Sequence, residues 1–137
     1  MLVSVCIVAY NEERKLPLIL SDIKNQTYEH EKMEIVLINS KSTDRTRDIM
    51  KTFQKEESGF SKIVIEDNLK KNQAAGWNEA IKVSSGNVII RIDAHARIPE
   101  NFVEKNMESI RKGEYVVGGP RPNIVDEPTI WKQVLLK

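Results

Sequence analysis

The chain has 137 residues, one ordinary domain, and a domain of that length buries roughly two-thirds of the surface its unfolded chain exposes, so it needs no staples. Its 40% hydrophobic and 30% charged residues, with no apolar run near the ~18 residues of a membrane helix, argue against disorder and against a membrane span. Basic residues number 21 against 20 acidic, too small a surplus for whole-surface nucleic-acid binding, and one cysteine rules out an internal disulfide framework or a Cys-cluster metal site and fits a reducing compartment.

Short apolar runs rich in β-branched residues alternate with longer segments of helical spacing, the pattern of βαβ units. In chain order the expected elements are a strand over 3–9, a helix over 13–24, a strand over 34–38, a helix over 44–55, a strand over 62–65, a helix over 73–83, a strand over 88–92, a helix over 100–111 and a strand over 115–117. The strands are near-continuous apolar runs, which predicts an α/β fold with an open, mostly parallel sheet covered by helices on both faces. Ser42 or Thr43 is placed to cap the second helix with Asp44 in its first turn, Pro99 opens the fourth and Gly113 closes it. The apolar opening, Met1 to Tyr10, has no basic lead-in and no cleavage site, so no signal peptide is expected and the chain reads as cytoplasmic. After Pro120, Pro122 and Pro128 come Ile130, Trp131, Val134 and Leu135, spaced as the apolar stripe of a helix that has just begun. The expectation is a fragment, with that stripe available for association.

Ligands of open α/β sheets bind at the carboxyl ends of the strands. Here those ends deliver Tyr10-Asn11-Glu12, Asn39-Ser40-Lys41-Ser42, Glu66-Asp67-Asn68 and Asp93-Ala94-His95 to one edge. Several sites are excluded by what is missing: no glycine follows the first strand, as a dinucleotide site requires, and neither GxxxxGK[ST] nor GxSxG occurs. Asp93 and His95 are the sharpest pair. Two residues apart beyond a buried strand, they could hold a divalent cation against a diphosphate, with the imidazole favouring Mn²⁺ over Mg²⁺; the plain alternative is that Asp93 caps a turn and His95 lies on the surface. Cys6 reads as a buried thiol, Trp77 as core, His30 as a surface residue, and Arg91 either as an ion-pair partner of Asp93 or as part of a solvent-facing edge.

Four ordered blocks carry a resemblance that spans residues 1 to about 120. They are Ser4 to Glu13, then Glu34 to Thr46 (EIVLINSKSTDRT), then Asn72 to Ile81 (NQAAGWNEAI), and finally Ile90 to Ala96 (IRIDAHA). In order and spacing the chain resembles the family 2 glycosyltransferases of the GT-A fold. The resemblance implies a nucleotide-sugar-binding α/β domain over 1–120, with 121–137 beginning an acceptor-side region. It puts Tyr10 near the nucleobase, with Asn11 and Glu12 shaping that pocket. Asn39 stands at the position of the family's base-binding aspartate, and Ser40 replaces the next one. Lys71 and Asn72 fall in a segment lining the nucleotide pocket, and Lys71 could offset diphosphate charge. Asp93 would contact the ribose or the metal, and His95 stands where the family carries the last aspartate of its D-x-D metal motif, a substitution compatible with Mn²⁺.

The implied reaction is inverting transfer of a sugar from a nucleotide diphosphate donor, UDP by the family's habit, to a hydroxyl of a saccharide or lipid-linked acceptor in cell-surface polysaccharide synthesis. The full-length protein would then work at the inner face of the membrane. The family's general base lies further along than Lys137, so this chain is expected to hold the donor-binding half and to be weakly active or inactive alone. Two other readings of the residues are a receiver-type phosphoacceptor module, with acids Glu12, Glu13 and Asp67, and a non-catalytic nucleotide-binding module.

Overall fold

A strand that is apolar on both faces must be covered on both, and the central strands of this protein are near-continuous apolar runs of that kind. The computed structural model describes residues 1–113, 122–123 and 132–136. Its elements are β1 (Val3–Ala9), α1 (Leu16–Lys24), a 3-10 turn (His30–Lys32), β2 (Met33–Asn39), α2 (Thr46–Glu56), β3 (Lys62–Asp67), α3 (Gln73–Val83), β4 (Val88–Ile92), α4 (Phe102–Arg111), β5 (Pro122–Asn123) and β6 (Lys132–Leu136). The sheet order is β3-β2-β1-β4-β6-β5. The first four strands are parallel, with β6 antiparallel to β4 and β5 antiparallel to β6. This order begins 3-2-1-4, whereas receiver-type and flavodoxin-like sheets run 2-1-3-4-5, which sets the phosphoacceptor reading aside.

Strand alternation divides the core. Val3, Val5 and Ile7 face a cluster built with Leu16, Ile19 and Ile23 of α1, Met50 and Phe53 of α2, and Phe102, Val103 and Met107 of α4. Cys6 faces the opposite side with Val36, Ile38 and Ile89, where Trp77 and Ala80 of α3 cover them. Both Cys6 and Trp77 are therefore core residues, as expected. Gly76 lets α3 come close to the sheet: a Cβ there would lie 2.6 Å from Val8 Cγ1 and 3.1 Å from Asn68 Nδ2. That approach fixes the height at which α3 begins beside the strand ends.

Helix α3 and strands β1 and β4 have the bounds read from sequence; the other helices start two or three residues late. The reason is local. The Glu12 carbonyl accepts the amides of Lys15 and Leu16, so 13–15 are a turn before α1. Neither Ser42 nor Thr43 caps α2, whose N-cap residue is Arg45 with no side-chain cap bond: just before it Asp44 Oδ1 accepts the Thr46 amide at 2.9 Å, while Ser42 is turned to the Asn11 amide. The Pro99 carbonyl accepts the Phe102 amide as α4 opens, and Gly113 closes it at φ +73°.

The tail corrects an expectation. Residues 132–136, read as the start of an amphipathic helix, form a strand whose register pairs Leu136 with Val88 and Lys132 with Ile92. The edge of β4 would otherwise present a row of unpaired backbone groups, and pairing with it outweighs a helical spacing carried by four apolar residues. Ile130 and Trp131 of the same stripe, and the strand expected over 115–117, lie outside the described residues. Among the described residues no helix is long and apolar enough to cross a membrane.

Candidate functional site

The carboxyl ends of the four parallel strands meet at one edge, with Ala9, Asn39 and Asp67 side by side in register. The loops that leave them hold the three described non-glycine residues of positive φ: Asn11 at 49°, Lys41 at 56° and Lys71 at 69°. Asparagine tolerates the left-handed region; lysine adopts it at a cost that the surrounding contacts must cover.

Those contacts are hydrogen bonds between loops. The Asn11 amide donates to Ser42 Oγ at 2.9 Å, and its side-chain oxygen accepts the Thr43 amide at 2.8 Å and the Asp44 amide at 3.3 Å. The Glu12 amide donates to Thr46 Oγ1 at 2.8 Å, and Thr46, fully buried, donates in turn to Asp44. Burial pushes the Asp44 carboxyl up, but the hydroxyl and amide of Thr46 and the Glu13 amide more than offset it and hold the group below the usual range. On the other side Asn68, also buried, bridges Ser40 Oγ at 3.0 Å and the Asn72 carbonyl at 2.8 Å. Three loops are thus sewn into one rim.

A cavity of about 430 Å³ opens inside that rim, lined by Tyr10, Glu12, Ser40, Lys71, Asp93 and His95 among others. A second hollow of about 490 Å³, bounded by Tyr10, Lys70, Lys71 and Asn72, adjoins it at the Tyr10 and Lys71 side. Tyr10 is 46% exposed, and the Lys71 ammonium sits 5.0 Å from its ring centroid. A larger hollow of about 580 Å³ runs between the end of β3 and α3, away from Asp93 and His95.

Five of the eight site residues read from the sequence therefore line one cavity, and Asn72 borders the adjoining one. Asn72 also caps α3, accepting the Ala75 amide at 2.8 Å. Asn11 acts from behind, as the clamp just described. Asn39 departs most from expectation: it is 4% exposed, is not among the lining residues, accepts the Ser42 amide at 3.1 Å and donates to Asp67 Oδ1 at 3.3 Å. Its amide is engaged in holding the β2 and β3 ends together.

Asp93 and His95 stand together. Asp93 Oδ1 accepts the His95 amide at 3.2 Å and lies 3.1 Å from His95 Nε2, while Nδ1 of the same ring lies 2.9 Å from Glu12 Oε1. The turn-capping role of Asp93 is real, and it coexists with the pairing of the two side chains. The loop beyond is tied down by Asp22, which accepts from Arg97 Nε at 2.7 Å, from its second guanidinium nitrogen at 2.9 Å and from the Ile98 amide at 3.1 Å. Burial raises the Asp22 carboxyl, and these bonds outweigh it, leaving the group below its ordinary value.

The pair fits a hexacoordinate divalent ion on geometry. Ligands about 2.1 Å from an octahedral ion lie about 3.0 Å apart, close to the 3.1 Å between Asp93 Oδ1 and His95 Nε2. Among the described residues no group of three or more His, Cys, Asp or Glu side chains is arranged to hold a metal by itself. Two protein ligands are what such an ion takes when phosphate oxygens and water complete its shell.

Two more residues singled out in the sequence have their places, and of these His30 differs from its surface reading. The Arg91 guanidinium lies 4.1 Å from the Trp77 ring centroid, in a wall of α3 and β4 that also includes Asp93. His30 is a packing residue, half-buried and stacked 4.5 Å from the Phe60 ring, with Nε2 at 3.0 Å from the Gln26 carbonyl. The Glu12–His95 contact and the bond from the Glu12 amide to Thr46 were not anticipated, because no local pattern links residues 83 and 34 positions apart.

A family model described as Glycosyl transferase family 2 matches residues 4–136. A dolichyl N-acetyl-alpha-D-glucosaminyl phosphate 3-beta-D-2,3-diacetamido-2,3-dideoxy-beta-D-glucuronosyltransferase of Methanococcus voltae is 36% identical over 110 residues, covering 80% of this chain and 34% of that protein. An undecaprenyl-phosphate 4-deoxy-4-formamido-L-arabinose transferase of Photorhabdus laumondii is 30% identical over 131 residues, covering 90% of this chain and 38% of that one. The mannosyltransferase PcManGT from Pyrobaculum calidifontis, in complex with GDP-Man and Mn²⁺, superposes with a TM-score of 0.66 at 26% identity over 71% of this chain and 28% of its own. S. aureus TarS 1-349 in complex with UDP superposes with a TM-score of 0.72 at 18% identity over 91% of this chain and 38% of its own, a likeness of fold alone. The chain spans about a third of the length of these two curated relatives.

Proposed function

The chain belongs to glycosyl transferase family 2, and from that membership we propose that its strand-end cavity binds the nucleotide diphosphate of a sugar donor, UDP in the first instance, together with a divalent cation. The observation that carries this reading is the convergence of Asp93, His95, Tyr10 and Lys71 on one cavity. Asp93 and His95 hold the cation. When bound, it neutralises charge that develops on the departing diphosphate, and an imidazole ligand favours Mn²⁺ over Mg²⁺. The Mn²⁺ complex of the Pyrobaculum mannosyltransferase supports a cation in this family.

The chain's own residues do the rest. Tyr10 offers the nucleobase an exposed ring, and the Lys71 ammonium, on the boundary between the two hollows, offsets phosphate charge. The clamps of Asn11, Asn39, Asn68 and Asn72 keep the loops in place before the donor arrives, so that less ordering is needed on binding.

Residues 1–120 then form the donor-binding half, and 121–137 lead into the acceptor side. The carboxylate that takes the acceptor's proton, in an inverting attack on the anomeric carbon, belongs to that acceptor side. The relatives named for dolichyl and undecaprenyl-phosphate substrates support a lipid-linked acceptor; work at the inner membrane face in surface polysaccharide synthesis is part of the same proposal.

Calorimetry on the full chain tests the reading: UDP is expected to bind with Mn²⁺ present and much more weakly in EDTA, with GDP as the comparison nucleotide. Lys71→Ala is expected to weaken that binding several-fold and to flatten its salt dependence, since an exposed lysine acts on phosphate as a screened charge. A folded wild type that binds neither nucleotide with Mn²⁺ would overturn the proposal. A non-catalytic nucleotide-binding module would bind equally well, and release of UDP from UDP-sugars by the protein with its acceptor side separates the two.

A further inference from the structure

We infer that Glu12 is a positioning residue for His95, fixing which ring nitrogen carries the proton so that the other faces the cation. The inference rests on the assignment of Asp93 and His95 as cation ligands. The two nitrogens of the His95 ring face different carboxylates, Nδ1 at 2.9 Å from Glu12 Oε1 and Nε2 at 3.1 Å from Asp93 Oδ1. A neutral imidazole has one N–H, so it donates to one of them and turns a lone pair to the other.

Glu12 is the better-placed acceptor. Its oxygen is the closer, and its side chain is 20% exposed against 35% for Asp93. Its main chain is pinned on both sides, the N–H by Thr46 Oγ1 at 2.8 Å and the carbonyl by the amides of Lys15 and Leu16 at 3.2 and 2.8 Å. Asp93 Oδ1 already accepts the His95 amide. With the proton on Nδ1, Nε2 is left as a ligand on the side where Asp93 stands. Metal-bound imidazoles are commonly held this way, by an outer carboxylate that sets ring orientation and tautomer. Glu12 therefore works through His95 and not by touching the nucleotide.

The test measures Mn²⁺ affinity of the full chain with UDP present, and with GDP in parallel, by calorimetry and by the electron paramagnetic resonance of free Mn²⁺. Nucleotide affinity is measured separately in EDTA. Glu12→Ala is expected to weaken Mn²⁺ binding about 10–100-fold. Glu12→Gln should recover much of that loss, because its amide oxygen still accepts from Nδ1. Nucleotide affinity in EDTA should not fall, since Glu12 lines the cavity as an anion and its removal takes away no attraction for phosphate, and Glu12→Ala combined with His95→Ala should lose no more Mn²⁺ affinity than His95→Ala alone. A fall in EDTA as large as the fall with metal would mean that Glu12 contacts the nucleotide, and would overturn the inference. So would His95→Ala weakening Mn²⁺ binding while Glu12→Ala does not, an outcome that leaves the cation assignment standing. A wild type with no Mn²⁺-dependent binding would end both. Should Glu12→Ala not fold, the ¹⁵N spectrum of the wild-type imidazoles without metal at pH 8 decides: His95 protonated at Nδ1 is expected, and His95 protonated at Nε2 overturns the inference.

Discussion

Asp93→Ala is expected to abolish Mn²⁺-dependent binding of UDP or GDP, a loss on the order of 100-fold or more in affinity, while leaving the protein folded. The proposed cation site has two protein ligands, and Asp93 is the anionic one. Removing it takes away both a coordinating oxygen and the charge that brings a divalent ion there, whereas His95→Ala removes a neutral ligand and should cost less. Stability should change little. Asp93 is partly exposed and bonds to His95 and to its amide, so the substitution forfeits a turn bond worth about 1 kcal/mol, and the Arg97–Asp22 tie still holds the loop. Calorimetry with and without EDTA checks this, with circular dichroism to confirm folding. Binding of wild-type strength by folded Asp93→Ala would remove Asp93 from the site.

The parallel sheet was legible because its strands are covered on both faces, and burial on both faces writes itself as an unbroken apolar run such as Val3 to Ala9. That legibility carried the site with it. Once the strands are parallel, their carboxyl ends are one edge, and whatever polar residues follow them are neighbours. What could not be read was set by contacts across long stretches of chain. Ile130, Trp131, Val134 and Leu135 are spaced as one helical face, yet 132–136 pair with β4, because the need of an open strand edge is not written in the segment that fills it. Lys41 and Lys71 take left-handed conformations that sequence announces with glycine or asparagine. Asn39 sits at the right strand end, but its side chain is spent on Ser42 and Asp67, a direction that spacing does not encode. The Glu12–His95 pair joins the first strand end to the fourth, 83 residues apart.

At the opposite edge of the sheet, Glu34→Ala is expected to cost about 3 kcal/mol, lowering the midpoint of thermal unfolding by roughly 10 °C. Glu34 is 1% exposed near the amino end of the inner strand β2, where a carboxylate persists only if its oxygens are satisfied. Oε1 accepts from Ser4 Oγ at 2.8 Å and from the Ser85 amide at 2.9 Å, and Oε2 accepts from Ser85 Oγ. Ser4 Oγ also receives the Gly86 amide at 2.8 Å, so the carboxylate anchors the turn that feeds β4. Gly86 has no room for more: a Cβ there would lie 2.7 Å from the Ser4 backbone nitrogen. Alanine at 34 leaves these donors in a dry cavity. Burial pushes the Glu34 carboxyl up, but the Ser85 and Ser4 bonds and the charge of Lys62, its partner in register, outweigh it and hold the group below its ordinary 4.5. A carboxyl lowered in the folded state adds stability that is fully present above the unfolded value and is lost as pH falls through the folded one. The wild type should therefore lose stability as pH drops below about 4.5. Glu34→Gln keeps an oxygen for Ser4 and the Ser85 amide, and the Ser85 hydroxyl can rotate to accept from the new amide. It should cost about 1 kcal/mol at pH 7 and flatten the acid limb. Urea denaturation of the three proteins between pH 3 and pH 7 measures both effects, and an acid limb of wild-type slope in Glu34→Gln would show that other carboxyls govern it.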